Sequence, residues 1–519
     1  MRTFVTSCAA VAVAAGLSVA ASNLVEGQTG SVKRQRALQE LLANPVGPLV
    51  LDAVAPGFLD DAGVRPAVSA IFDPSTPMEE VERRMDRLTR LASGLRFQVS
   101  VTSRWGDWSS PSDDIPVNLT YSFPPDGTPI TNFAGEEPGG TWVVSGETTS
   151  SMFDRWDTAF MTTDGAAWKP FFRAAFDRWE DLTGNRYIET TDDGAPWPDA
   201  TGPFHGFGTR GDLRITSALD DGPGGTLAFN FFPEFGDMLL DSADLVGTRF
   251  LNPAGNQVYL RNVIMHEHGH GMGMSHVCPR EDNKLMEPFV STVFDGPQKD
   301  DRLGAQRLYG DTFELNNSIG ASIPPVVSGL SISNPNPQSF QNLSIHNSID
   351  TDHFRFTTSA GAYSLSVTVS PTTGAYLTGP QTQQCNTGTS FNPALGVDLQ
   401  VDVLDSLGVV MQSKNAATLG SAESINNLQL ADPDTYHIRV KRADGTSFNN
   451  VQGYSMTVVI QPIGTSADIS GDGCVDGNDL AILLAQWGPN QGAPSDLNGD
   501  GVVNGIDLAG LLAGWAPCG

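Results

Sequence analysis

The stretch VIMHEHGHGMGMSHV, residues 263–277, holds four of the chain's eight histidines, with three glycines among them. His266 and His270 are four residues apart, which on a helix sets one imidazole a turn above the other on a single face. The preceding NQVYLRNVIM, residues 256–265, supplies a helix body whose Val258, Val263 and Ile264 give it apolar contacts. Gly271 and Gly273 weaken that helix and permit a sharp reversal, after which His276 returns to the first two histidines. Three neutral imidazoles suit one zinc ion and leave a fourth tetrahedral position open. Glu267 follows the first of them and stands beside the metal rather than on it, where a carboxylate can take a proton from water. His268 has no place in the spacing and reads as a packed or solvent-facing residue. The complete pattern H-E-x-x-H-x-x-G-x-x-H arises by chance on the order of once in 10^5 for this composition, so it outweighs any single-histidine reading.

The rest of the chain frames this centre. At 519 residues it suits about three domains. A net charge of -29 argues against nucleic acid or an anionic membrane as partner, because like charges repel, and agrees with calcium-rich surroundings. With 55 Gly, 34 Pro and only 17% charged residues, the composition is that of a loop-rich, β-rich exported protein. Residues 1–21 read as a cleaved signal peptide: one arginine, an apolar run of small residues, then small residues around Ala20 to Ser22. The expected location is therefore secreted, extracellular or cell-surface, with no membrane span once the signal is removed. Removal of Cys8 leaves Cys278, Cys385, Cys474 and Cys518, an even number whose pairing spacing alone leaves open.

Residues 22–95 form an N-terminal extension or pro-segment, with helices expected over VKRQRALQELLA (32–43) and PMEEVERRMDRLTRLASGL (77–95), where Met78, Val81, Met85, Leu88 and Leu91 recur at helical spacing. Aromatic residues, helical patterns and the histidines concentrate in 96–310, the catalytic candidate. Residues 311–462 alternate polar and apolar in HFRFTT, YSLSVTV, DLQVDVLD, YHIRVKR and YSMTVVI, which predicts an all-β sandwich. Residues 463–519 contain a duplicated unit, DISGDGCVDGND from Asp468 and DLNGDGVVNGID from Asp496, each followed by an apolar helical stretch that includes Trp487 or Trp515. Oxygen donors fall at loop positions one, three, five, nine and twelve and glycine (Gly473, Gly501) at the sixth, as a twelve-residue loop around calcium requires. The donors are Asp468, Ser470, Asp472, Asp476 and Asp479, then Asp496, Asn498, Asp500, Asn504 and Asp507, with Cys474 and Val502 at the position that offers a main-chain carbonyl. Cys474 and Cys518 bracket this tail and are placed to clasp its ends.

Residues from about 98 to 310 resemble the catalytic domain of the matrixins, zinc endopeptidases of the metzincin class with a zincin-like α+β fold. Besides the histidine pattern, KLMEP (284–288) is similar to the family's Met-turn, with Met286 as the apolar floor of the metal site. FRAAFDRWEDLTGNRYIE (172–189) resembles its long helix and following strand, with Ala175, Phe176 and Trp179 facing the core, GDLRI (211–215) a central strand, and DDRLGAQRLYG (300–310) the closing helix. DGPGGTLAFNFFPEFGDMLLD (221–241) resembles the glycine-rich loop, the substrate-binding edge strand and a calcium-binding stretch. By this resemblance Leu227, Ala228, Phe229 and Asn230 bind an extended peptide, and Asp221, the carbonyls of Gly222 and Gly224, Asp241 and Asp244 hold a structural calcium. Phe229 and Leu239 stand where the family has two histidines of a second, structural zinc, so one zinc is expected. No cysteine lies between the signal and Cys278, so the family's thiolate latency device is not expected to operate.

DTFELNNS (311–318), DTDHFRF (350–356), DTYHIRV (434–440) and GYSMTVV (453–459) resemble the pre-peptidase C-terminal type of β-sandwich, whose acidic turns suit either calcium or plain solvation. The tail resembles a dockerin, an EF-hand-like α module, and the resemblance implies a cohesin-like partner. Gly477, Asn478, Gly505 and Ile506 depart from the hydroxyl residues common on that family's partner-binding surface. The expected function is a secreted zinc endopeptidase acting on protein or peptide, with Glu267 as general base, assembled or tethered through its calcium tail. The alternative is a noncatalytic adhesion or scaffold protein with a metalloprotease-like fold. Intact Glu267, His266, His270 and His276 favour the enzyme.

Overall fold

A six-stranded mixed sheet underlies the histidine helix in the computed structural model. Its strands are β1 (Val68–Phe72), β2 (Asn118–Ser122), β3 (Arg186–Glu189), β4 (Leu213–Ala218), β5 (Thr226–Phe231) and β6 (Met238–Asp241), in the spatial order β1-β5-β6-β4-β2-β3. The four from β6 to β3 run mutually parallel, while β5 is antiparallel to β6 and β1 antiparallel to β5. Buried residues run without interruption through β4, β5 and β6, as expected of strands covered on both faces. One face packs on α2 (Lys169–Glu180) and α3 (Val258–Gly271), sharing a core of Leu119, Tyr121, Ile215, Phe172, Phe176, Trp179, Val263 and Ile264. Phe229, Phe231, Leu239, Trp197 and Phe289 form a second apolar cluster. Helix α1 (Met152–Phe160) precedes α2, and α4 (Lys299–Tyr309) follows α3.

The chain divides into the units Met1–Arg65 and Pro66–Gly519. In the first, the structure describes only Leu59–Asp60 paired antiparallel with Gly63–Val64. In the second it describes residues 68–77, 104–105, 116–130, 147–198, 209–319 and 330–516, the last two ranges with short gaps. The expected signal peptide, the helix at 32–43, nearly all of that at 77–95, and Cys518 lie outside the described residues.

C-terminal to these elements, two four-stranded antiparallel sheets enclose a shared apolar core. One orders Thr351–Thr357, Thr435–Arg442, Leu399–Leu404 and Val410–Lys414; the other orders Glu423–Leu430, Tyr363–Pro371, Gln452–Pro462 and Gln338–Ile345. Strict alternation of buried and half-buried residues along Tyr363–Pro371 shows why the sequence pattern was legible there. The acidic residues of this region divide: Asp311, Glu314 and Asp350, with Asp352 on the following strand, are buried, whereas Asp434 is partly exposed. A disulfide joins Cys278 to Cys385, bonding the sandwich to the loop that carries His276. The Cys278 N–H donates to Gly379 O (2.9 Å) and the Arg280 N–H to Cys385 O (2.8 Å) along the same seam.

In the tail, α5 (Gly477–Ala485) and α6 (Gly505–Ala513) follow the two acidic loops. They enclose a small core of Leu483, Leu497, Val503 and Leu511. Cys474 is disulfide-bonded. Among the described residues no helix is long and apolar enough to cross a membrane.

Candidate metal centre

Helix α3 carries VYLRNVIM (258–265) on into the histidines without a break and ends at Gly271, while Asn256 and Gln257, expected in the helix body, precede it with positive φ; Gly273, at φ +105°, then makes the reversal that returns His276. The three Nε2 atoms converge: His266 to His270 is 3.0 Å, His266 to His276 3.1 Å and His270 to His276 3.2 Å. The Nδ1–H of His266 donates to Leu285 O (2.6 Å) and that of His270 to Met274 O (2.7 Å). Those bonds turn the bare Nε2 lone pairs toward one point. Burial, followed by the neighbouring imidazoles, pushes His266 and His270 well below the ordinary histidine range, so both are neutral. Three facing lone pairs repel one another unless a cation lies between them. A triangle of this size puts its centre about 1.8 Å from each nitrogen, close to a Zn–N bond of about 2.0–2.1 Å, so the donor set fits a zinc ion.

Glu267 is fully buried. Its Oε1 accepts the Ile71 N–H (2.9 Å), and its Oε2 has no protein partner. Burial raises its carboxyl well above the usual range, against the pull of that N–H. His268 points away from the centre, packed edge-on against Phe176 and Tyr187 at ring-centre distances of 4.8 and 4.7 Å. Met286 lies under the helix at Gly269, where an added Cβ would meet its Sδ at 2.4 Å; only glycine allows so close an approach.

Asp301, which sequence reasoning passed over, holds the Met-turn. Its Oδ1 accepts the Met286 N–H (2.9 Å), and its Oδ2 accepts the N–H groups of Leu285 (2.7 Å) and Gln298 (2.7 Å). The only sequence signal was an acidic residue in the first turn of a helix. Buried Lys284 pairs with Glu287 at 2.8 Å in the same turn.

Leu227, Ala228, Phe229 and Asn230 lie on β5, but β5 is not the edge strand expected: it pairs with β6 on one side and with β1, which forms the edge, on the other. The Asn230 side chain turns inward, donating to Phe231 O (2.6 Å). Asp221, Asp241 and Asp244 gather beside the glycine loop. Burial comes first in raising Asp241, with Asp221 adding; it pushes Asp244 up to about 8, with Asp241 and Asp221 adding. Gly222 and Gly224 face these acids through their N–H groups, Gly224 to Asp244 Oδ1 at 2.8 Å. Oδ2 of Asp241 and of Asp244 has no protein partner, while Arg249 approaches Asp244 Oδ1 at 3.3 Å.

In the tail, Asp468 accepts the N–H groups of Gly471 (2.8 Å), Asp472 (3.1 Å) and Gly473 (2.8 Å). Asp496 accepts those of Asp500 (3.1 Å) and Gly501 (2.8 Å). At position twelve, Asp479 reaches back to Ser470 (2.7 Å) and Asp476 (2.8 Å), and Asp507 to Asn498 (3.1 Å) and Asn504 (2.8 Å). Asp472 and Asp500 accept the N–H of Cys474 and of Val502. Each acidic loop is thus closed on itself with its helix capped by Asp476 or Asn504. A further donor group that the sequence reading missed comprises Glu314, His346 and Asp350, all buried, with His346 Nδ1 3.0 Å from Glu314 and 2.6 Å from Asp350.

Residues 157–310 match the model of the family described as Matrixin, and residues 466–512 match that of the Dockerin type I domain. The chain therefore carries a matrixin domain and a dockerin domain beside a β-rich region. Among solved structures it is similar to the pre-peptidase C-terminal domain of a collagenase from Bacillus anthracis, at 11% identity over 24% of this chain and 89% of that one, with a TM-score of 0.15. It is also similar to PliG of Aeromonas hydrophila, a periplasmic inhibitor of g-type lysozyme, at 15% identity over 24% and 83%, with a TM-score of 0.13. At such scores these likenesses say nothing of this chain's function. No curated protein matches the chain.

Proposed function

We propose that the chain is a secreted zinc-dependent endopeptidase with a metzincin catalytic domain, tethered through an EF-hand-like calcium tail. The observation that carries this reading is the convergence of three Nε2 atoms within 3.2 Å of one another, next to the buried Glu267 carboxyl. His266, His270 and His276 hold the zinc, which when bound supplies Lewis acidity toward water and the scissile carbonyl. β5 aligns an extended peptide by main-chain pairing along the side that β1 fills here, so recognition rests on backbone bonds and one apolar pocket beside Met286. Oε2 of Glu267 takes the proton of the attacking water, and Glu267 returns it to the leaving nitrogen. Burial of this carboxylate keeps bulk water from competing for the proton.

Calcium in the two tail loops holds α5 and α6 against each other, and their partner is a cohesin-like domain. The sandwich, of pre-peptidase C-terminal type, braces the His276 loop through Cys278–Cys385. Glu267→Ala tests the reading: it retains one zinc per chain and loses peptide hydrolysis, whereas full activity in that variant refutes the assignment.

A further inference from the structure

The N-terminal extension enters the cleft in a register that an extended substrate would adopt. β1 pairs antiparallel with β5, Ser69 opposite Asn230, Ala70 opposite Phe229 and Ile71 opposite Ala228. Its other edge meets the segment after the Met-turn, bridging parallel to Phe289: the Phe72 N–H donates to Pro288 O (3.2 Å), and the Val290 N–H donates to Phe72 O (3.1 Å). A chain bonded on both edges between β5 and 288–290 fills the groove where the preceding section places a peptide substrate. The Asp73 N–H continues the register to Gly225 O (2.9 Å).

Side chains alternate accordingly. Ile71, 1% exposed, joins the apolar cluster that includes Leu227, Leu285, Met286 and Val290, whereas Ala70 and Phe72 join the one with Phe229 and Phe289. Asp73 anchors the strand, accepting from Arg249 Nε (2.9 Å) and the Tyr259 hydroxyl (2.7 Å). One peptide nitrogen is singled out. Of the amides in β1, that of Ile71 donates to Glu267 Oε1 at 2.9 Å, which sets the nitrogen of the Ala70–Ile71 bond within reach of the group that would protonate it as the bond breaks.

We propose that β1 is lodged as the enzyme's own first substrate and that the Ala70–Ile71 peptide bond is a self-processing site, an inference that rests on the endopeptidase reading. In this step a water oxygen bonds to the Ala70 carbonyl carbon and its proton passes to Glu267. The C–N bond then breaks with its electron pair staying on nitrogen, which takes the proton from Glu267. A carboxylate remains on Ala70 and a free amino terminus on Ile71. Until that cut, β1 excludes other peptides from β5. After it, the Phe72 and Asp73 bonds still hold the new terminus, so the cleft clears only when this short end lets go. The same register sets a preference for β-branched or long apolar residues on the leaving side, followed by an aromatic one.

The test incubates the full chain with zinc and follows intact mass and the sequence of new amino termini, for wild type and Glu267→Ala. A new terminus at Ile71 in the wild type, formed at a rate independent of protein concentration and missing from Glu267→Ala, is expected; the same cut in Glu267→Ala assigns it to another protease and overturns the proposal. A peptide library, including the synthetic peptide PAVSAIFDPST (66–76), is offered in parallel. Hydrolysis of library peptides with Ala70–Ile71 left intact in the chain overturns self-processing and leaves the endopeptidase reading standing. No hydrolysis in either arm, with one zinc bound, sinks that reading itself. Cleft occupancy has its own readout without turnover: in metal-free Glu267→Gln, the amides of Phe72 and Asp73 exchange with deuterium at least ~100-fold more slowly than in a free peptide. Exchange at the free-peptide rate overturns the lodged strand whatever the activity.

Discussion

Replacing Asp301 with asparagine probes how the metal centre is held by groups that never touch the metal. One carboxylate accepts three main-chain N–H groups, from Leu285, Met286 and Gln298, at 2.7 to 2.9 Å, and is buried. An amide keeps one oxygen and turns an NH2 toward at least one of those donors. The smallest loss, the Met286 bond alone, leaves one buried N–H unsatisfied, at a cost of about 1–3 kcal/mol. Leu285 links this to the site, because its carbonyl receives the His266 Nδ1–H at 2.6 Å. A loosened Leu285 frees that imidazole, and disturbing such a partner of a ligand weakens metal binding by about 10–100-fold. Urea unfolding gives the first quantity and zinc competition against a chromophoric chelator the second. Wild-type stability and zinc affinity in Asp301→Asn would refute the reasoning, and a stability loss with unchanged zinc affinity would break the link through Leu285.

Other consequences follow from the same contacts. Burial, with Asp301 beside it, pushes Asp300 up to about 7, with Tyr376, Lys284 and Thr378 opposing. Its folded value exceeds its unfolded one, so its contribution is complete below about pH 4 and is lost as pH rises through 7, by at most ~4 kcal/mol. Asp300→Asn flattens that slope in urea titrations at pH 4 to 8; an unchanged slope would show that Asp300 does not carry it. Cys385→Ser opens a bridge between residues 107 apart, lowering stability by about 2–4 kcal/mol and speeding zinc loss from the His276 loop, both measured by unfolding and chelator-driven release. Equal zinc release rates would uncouple the sandwich from the site. Asp479→Ala and Asp507→Ala each weaken calcium binding to the tail by roughly 10–100-fold, seen by calorimetry as loss of one of two sites; two intact sites in either variant would remove that carboxylate from the ligand set.

The histidine helix was legible because ligand spacing and helical period coincide, and the reversal because Gly273 takes a backbone conformation other residues resist. Alternation exposed several sandwich strands, and the 28-residue repeat exposed the tail. What escaped was non-local. β1 is a five-residue strand whose partner lies more than 150 residues on, inside a segment whose helical periodicity drew the eye elsewhere. Asp301 looked like an ordinary first-turn acid, since nothing local says that a loop folds back over it. The pairing of Cys278 with Cys385 depends on how the sandwich docks, which spacing does not encode. Glu314 and Asp350 read as turn residues because their burial is imposed by strands that precede and follow them.

X-ray absorption at the zinc edge of the purified full chain bears most directly on the proposed centre. One zinc per chain is predicted, with three nitrogen neighbours at about 2.0–2.1 Å and a single light atom completing a tetrahedron, and with a nitrogen lost in His276→Ala. An all-oxygen shell, sulfur neighbours, or a chain that takes up no zinc would contradict it.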